Sequence, residues 1–324
     1  MKRYNAALLL SLILTMIVIS GCMQSTENTT TPPSETSLLP YSSATSVPSF
    51  TPRPANSPNP TLPPTAILTL SVEAAQTELL KFLSDNGDCR LPCLWGITPG
   101  ISSYQEAQSI FMPLTGISRL TSFRPKGAAI FPTYAKGDLE LYNGVGFNID
   151  SSTNIVSMIG FQAETHKPLA QGGYEDVFDS KFFGDTVSAY TLAHVLTEQG
   201  IPSSIMIETA GGPLTRGGTG GFDILLLYPT QGILVNYRTQ MHLIGANVRG
   251  CPRNAYVQME LYAPGQPNSF FEGLKQTDWA LKMTGYKPLE ESTSMSLQDF
   301  YDIFRNPTVE CVETSTKLWP TPEP

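Results

Sequence analysis

The chain has 324 residues, with 28 acidic and 20 basic side chains and a formal net charge of −8. That balance excludes the basic footprint of non-specific nucleic-acid binding, so no nucleic acid is expected as a partner. It also excludes electrostatic docking of the body on anionic lipid and is a common solubility feature, while the length allows one sizeable domain or two smaller ones.

The N-terminus carries the most specific signal. Lys2 and Arg3 form a short positive segment, and Ala6 to Ile19 is a run of 14 residues, apolar except for Ser11 and Thr15. A membrane span needs about 20 residues, so the run suits the apolar region of a signal peptide. Ile19-Ser20-Gly21-Cys22 follows, small residues and then a thiol. Residues 1–22 resemble the signal peptides of bacterial lipoproteins, which implies cleavage before Cys22 and a thioether-linked lipid on its sulfur. Each buried CH₂ contributes about 0.8 kcal/mol, so two or three acyl chains anchor stably where one is marginal. The expected partner is a lipid bilayer reached through acylated Cys22, and the expected location is the extracytoplasmic face of the cell envelope. Loss of Lys2 and Arg3 leaves 28 acidic against 18 basic residues, a net charge of −10.

Residues 23–66 contain 27 Ser, Thr or Pro among 44, with no apolar periodicity. Such a stretch has no core to form and reads as a disordered tether. The expected organisation is a signal peptide at 1–21, a lipidated tether at 22–66 and an extracytoplasmic α+β body at 67–324.

In the body, Ser71 caps a helix with Glu73 in its first turn and Val72, Ala75, Leu79 and Phe82 at helical spacing; Asn86-Gly87 ends it. Cys89 to Gly100 is a loop. Ser103-Tyr-Gln-Glu106 is a capping box for a second helix, with Tyr104, Ala107, Ile110 and Phe111 on its apolar face. Ala128–Tyr134 is a weak strand. Leu139, Leu141, Val145, Phe147 and Ile149 alternate, with an interruption expected at Asn143-Gly144. Asp150–Asn154 is a turn, and Ile155, Ile159, Phe161 and Ala163 continue on one face.

A second cycle begins near Asp185. One helix is expected, capped by Thr186 or Ser188 and carrying Ala189, Leu192, Val195 and Leu196; Gly200 and Pro202 stop it. Strands follow at 204–209, 222–228, 232–237, 242–248 and 255–263. Leu114-Thr-Gly-Ile-Ser118 echoes Leu196 to Ser203. The echo fits an internal tandem duplication of 98–163 and 185–263, and it fits equally the pattern any chain of helices and antiparallel strands produces. A helical C-terminal tail occupies 264–324: a helix within 270–283 holding Trp279 and Leu281, then a helix capped by Ser296-Leu-Gln-Asp299 that stops at Asn306-Pro307.

Beyond Cys22, four cysteines remain: Cys89, Cys93, Cys251 and Cys311. In an exported domain disulfides are the default, and three connectivities exist. Cys89–Cys93 and Cys251–Cys311 are favoured, since each pair lies near in sequence or in one terminal region. Cys89-Arg-Leu-Pro-Cys93 has three intervening residues and follows a helix, unlike a thioredoxin-type redox site.

Thr98-Pro-Gly-Ile-Ser-Ser-Tyr-Gln-Glu106 and Leu192 to Ser203 resemble the helix-plus-sheet modules of outer-membrane-assembly lipoproteins and β-lactamase inhibitory proteins. The resemblance implies tandem copies of a helix followed by antiparallel strands, and it transfers no catalytic residue. The loop Cys89…Pro92-Cys93-Leu94-Trp95-Gly96-Ile97…Pro99-Gly100 is similar to one in tethered lipoproteins. That loop and the long tail depart from both families.

No Gly-x-Ser-x-Gly elbow occurs; of the three histidines, His194 falls within the second-cycle helix, where it packs or caps, and His166 and His242 stand in isolated positions. Gly211 to Gly221 is the richest glycine stretch, with Arg216, Gly217 and Gly218 as candidate anion or partner contacts, but it lacks the ending of a phosphate-binding loop. Trp95 has two readings, ligand platform or core packing beside a disulfide. Glu290-Glu291 and Asp299 with Asp302 fall at helix starts or on solvated faces. No cofactor and no metal are called for. The expectation is a non-catalytic binding or envelope-assembly module with an envelope protein or glycan as partner. The alternatives are an envelope hydrolase with a non-standard site and a protein inhibitor of an extracellular enzyme.

Overall fold

The computed structural model describes residues 70–178, 180–210, 220–277, 283–308 and 311–319. The signal peptide, Cys22, the tether before Leu70, the glycine loop with Arg216, Gly217 and Gly218, and Trp279 with Leu281 lie outside the described residues.

Helix α1 (Val72–Asp85) starts where Ser71 Oγ accepts from Ala74 N at 3.3 Å. Ala75, Leu79 and Leu83 recur every four residues and are buried, and Asn86 closes the helix in the left-handed region at φ 57°. Val72, expected on that face, lies ahead of the first buried turn and is exposed. Helix α2 (Tyr104–Phe111) has the expected capping box: Ser103 Oγ accepts from Glu106 N, and Ser103 N donates to the Glu106 carboxylate at 2.7 Å.

Four antiparallel strands follow: β1 (Ser118–Arg124), β2 (Gly127–Lys136), β3 (Leu139–Asp150) and β4 (Ile155–Pro168). The interruption expected in β3 does not occur. Asn143 takes an inward position opposite Ala163, and its Nδ2 reaches Pro132 O at 3.5 Å, so the strand runs straight through. β5 (Tyr174–Asp176) pairs with the end of β4.

The single helix expected near Asp185 is two: α3 (Lys181–Thr186) and α4 (Leu192–Gln199), with a 3₁₀ turn at Ser188–Tyr190 between them. The break brings Tyr190 into the core. Gly200 ends α4 at φ 80°. Next come β6 (Ser204–Ala210), β7 (Gly221–Tyr228), β8 (Ile233–Ile244), β9 (Asn247–Gly250) and β10 (Tyr256–Tyr262). The tail contributes α5 (Pro267–Gln276), β11 (Lys287–Pro288), α6 (Leu289–Ser292), α7 (Leu297–Phe304) and β12 (Val312–Ser315).

The result is α+β with one large antiparallel sheet in the order β1-β2-β3-β4-β10-β8-β7-β6-β11. β4 and β10 meet in the middle, with Ala163 opposite Val257, Phe161 opposite Met259 and Ile159 opposite Leu261. β9 and β12 pair beside the end of β8, and the Cys251–Cys311 bridge closes their ladder at a Cα separation of 4.0 Å. The Cys89–Cys93 bridge also forms, with its Cα atoms 5.8 Å apart. Both favoured pairings are therefore present.

Period-two alternation gives the sheet two unlike faces. One face meets α1, α2, α4 and α7 across the main core, with Phe111, Phe147, Phe161, Tyr190, Tyr237 and Phe300 buried. On the opposite face α5 covers only the β7–β8–β10 end, over Leu225, Leu227, Leu234 and Tyr262. The middle of that second face stays open. No described helix is long and apolar enough to cross a membrane.

Candidate functional site

The open part of the second face holds a cleft of about 450 Å³. Its floor is strand-borne. Gln162 of β4, Gln258 of β10 and Asn236 of β8 lie opposite one another in register, a row of amides across three strands. A parallel row carries charge. Tyr256 opposes Arg238, Arg238 opposes Asp223, and Asp223 opposes Glu208, so β10, β8, β7 and β6 each give one residue. Glu164 continues that row on β4, opposite Tyr142 of β3. Thr284, Gly285 and Tyr286 form the wall.

Asp223 is fully buried, and its carboxylate is saturated. Arg238 Nε donates to Oδ1 at 3.0 Å and Nη2 donates to Oδ2 at 3.0 Å, while Asn236 Nδ2 donates to Oδ1 at 2.9 Å. A bidentate guanidinium plus an amide is what an ion needs to survive burial. Tyr286 Oη donates to Asn236 Oδ1 at 3.4 Å and so fastens the wall to the floor.

Glu208 has no such partners among the described residues. Burial, and then the neighbouring Asp223 carboxylate, raise its pKa above the ordinary carboxylate value, and Arg238 opposes them. A Cβ on Gly285 would collide with Glu208 Oε1, so glycine there lets the wall approach the carboxylate. The phenols of Tyr256 and Tyr286 are pushed far up by burial and by nearby carboxylates, and they stay neutral donors.

At the other end, His166 is 5% exposed. Its ring lies between Tyr174, 4.0 Å away at 2°, and Tyr142, 5.9 Å away at 14°. Its Nε2 sits 3.3 Å from Glu164 Oε1 and 3.6 Å from Asp176 Oδ1 without a well-formed hydrogen bond. Tyr256 Oη is buried against the same two carboxylates, also without one.

No family model, curated protein or solved structure matches this chain. The site is therefore read from its own geometry.

Of the other described residues singled out in the sequence for their chemistry, none lines the cleft. Trp95 is 1% exposed, stacked on Phe82 at 4.9 Å, and its Nε1 donates to Tyr190 Oη at 2.9 Å. No ligand reaches that ring, which corrects the platform reading to core packing. Asn86 ties the loop around it: Nδ2 donates to Cys89 O and Cys93 O at 2.7 and 2.8 Å, and Oδ1 accepts from Trp95 N at 3.1 Å. The Cys89–Cys93 bridge thus belongs to a packed knot. His194 is on α4, at 3.6 Å from Glu198, away from the cleft. His242 is exposed near the end of β8. Glu290 and Glu291 lie in the short α6, and Asp299 is the partner of the cap Ser296 in the capping box of α7. Among the described residues, no group of three His, Cys, Asp or Glu side chains is arranged to hold a metal ion.

The cleft residues went unmarked in the sequence although a signal was present. Asp223 interrupts Phe-Asp-Ile-Leu-Leu-Leu, and Arg238 follows Leu-Val-Asn-Tyr, opposite charges in adjacent apolar strands. Such charges pair or are not tolerated.

What the site can do chemically is limited by access. Two-carboxylate hydrolysis places its groups about 5–9.5 Å apart on either side of the scissile bond. Glu208 and Glu164 stand four strand spacings apart, about 19 Å by the sheet repeat. Asp223 is nearer to Glu208 but lies buried under Arg238, out of a ligand's reach.

Proposed function

We propose that the protein is an extracytoplasmic lipoprotein, tethered through acylated Cys22, whose body binds a polar ligand on the open sheet face. The single observation that carries the binding reading is the cleft, where two rows of polar side chains from five strands converge. Ligand sites are concave, with a few placed polar groups on a rigid scaffold. The strands supply the rigidity, and the saturated Asp223–Arg238–Asn236 set fixes the floor. The tether reading is supported by the order of charge, apolar run, small residues and cysteine at the N-terminus. Two formed disulfides accord with an oxidising compartment.

The body reads as a tandem duplication. α2 with β1 to β4 and α4 with β6, β7, β8 and β10 contribute in mirror order to the sheet, β1-β2-β3-β4 and then β10-β8-β7-β6. A local two-fold through the Phe161–Met259 pair would generate that order, and it would put the cleft floor at the seam of the two copies. The disulfide-tied tail then serves as the wall.

The test uses the full chain in detergent micelles. A panel of neutral, anionic and cationic polar compounds is screened by thermal melting against wild type and Gln258→Trp, which fills the cleft. At least one compound should raise the wild-type Tm and leave the variant unmoved. A panel that shifts neither protein, or both alike, sinks the reading. Incorporation of an alkyne fatty acid, lost in Cys22→Ala, tests the anchor separately.

A further inference from the structure

Resting on the binding reading above, we infer that the cleft takes a ligand bearing protonated amines on a hydroxylated, oligomeric frame, the chemistry of an amino-sugar chain, gripped between Glu208 and Glu164. Glu164 and Glu208 line the cleft at its two ends, with Asp176 near the first and the buried Asp223 beside the second. One guanidinium faces them, and Arg238 is committed bidentately to Asp223. His166 is a further basic group at the first end, against Glu164 and stacked on Tyr174. An anionic ligand meets net negative charge, and a neutral one leaves the Glu208 carboxylate uncompensated.

The floor specifies the rest of the ligand. Gln162, Gln258 and Asn236 offer amide donors and acceptors, the set that pairs with hydroxyls. Tyr256 Oη, beside Glu164 and Asp176, adds a neutral phenol to that end. Gly160 of β4, one residue pair further along the same face, leaves open space where a Cβ would be. The two end carboxylates stand about 19 Å apart along the row, so a ligand that engages both is an oligomer, not a monomer.

Glu208 gives the binding a pH signature. Asp223, Arg238 and Tyr286 are the titratable groups that face it from β7, β8 and the wall; Lys287 of β11 opposes Ile207, on the other face. Because Glu208 is desolvated, its charge is lost at a higher pH than an exposed carboxylate's. Cation affinity therefore falls on acidification before ordinary carboxylates titrate.

The experiment is calorimetric titration of the full chain in detergent at pH 6 with two probes of one shape: a glucosamine tetrasaccharide and its fully N-acetylated counterpart. The charged tetramer should bind at least tenfold more tightly. Glu208→Gln should weaken it by tenfold or more while its melting transition remains cooperative, and Glu164→Gln should do the same. Equal binding of both probes, or preference for the acetylated one, overturns the cation inference and leaves the cleft a binding site. Binding of neither probe also overturns it, and the compound panel then decides the broader reading independently. Unchanged affinity in both glutamine variants overturns the placement of the two carboxylates.

Discussion

Glu208 and Asp223 stand opposite each other on adjacent strands, yet one is tied down and the other is not. Asp223 has Arg238 and Asn236 directly; for Glu208, desolvation and the like charge beside it outweigh the attraction of Arg238. A raised pKa in the folded state means that the fold prefers Glu208 protonated. Its ionisation costs stability, a cost that sets in as pH rises through the unfolded-state value of about 4.3 and is complete above the folded-state value. Glu208→Gln removes that titration. The variant should melt higher than wild type near neutral pH, and the gap should close as pH falls below the ordinary carboxylate range. Melting curves at several pH values between 4 and 8 check this. A gap that does not change with pH, or that has the opposite sign, would show that Glu208 is partnered after all. The same pair explains why the site was hard to read from sequence. The opposite charges in two apolar strands were visible, but alternation assigns a residue to a face and says nothing of register. Glu164 and Glu208 become ends of one row only once β4 and β10 pair and the second meander runs outward from them.

Elements with local signals were legible. Three helix starts rest on a serine side chain and were read from it: Ser71, Ser103 and Ser296. The boxes at Ser103 and Ser296 hold Glu106 and Asp299 below their usual pKa through hydrogen bonds to those serines. Ser103→Ala and Ser296→Ala should each cost about 1 kcal/mol in chemical denaturation. Because both carboxyls are depressed, their contribution is present above the unfolded-state pKa and fades as pH falls through the folded one, so the penalty of each substitution should shrink in acid. A penalty that persists undiminished at low pH would mean that the serines act through packing and not through the box. Elements whose formation depends on distant partners were missed. β1, Ser-Arg-Leu-Thr-Ser-Phe-Arg, has no clean alternation because it is an edge strand with most of its side chains in solvent. β12 exists because the Cys251–Cys311 bridge lays it along β9. The break between α3 and α4 follows from Tyr190, whose hydroxyl donates to Asn86 Oδ1 at 2.8 Å, 104 residues back in the chain. No window of sequence holds both partners.

At the scale of the whole body, the two bridges do different work. Cys251–Cys311 spans 60 residues and ties the C-terminal tail, including the cleft wall at Thr284–Tyr286, back to the sheet. Cys89–Cys93 spans 4 residues inside a loop that Asn86 and Trp95 already hold. On the chain-entropy model a loop of this longer size contributes about 4 kcal/mol, against about 2 kcal/mol for the shorter one. The paired substitution of Cys251 and Cys311 by alanine should therefore lower the unfolding free energy about twice as much as the same change at Cys89 and Cys93. The long-loop variant should also lose ligand response at denaturant levels where its sheet is still intact, because the wall then loses its covalent tie and keeps non-covalent contacts such as β11 on β6 and Tyr286 on Asn236. The short-loop variant should lose binding and fold together. Denaturation of the two double variants, followed by far-ultraviolet circular dichroism and by ligand titration in parallel, separates the cases. A larger loss from the Cys89–Cys93 pair would mean that the knot around Trp95, and not the tie of the tail to the sheet, sets the stability of the body.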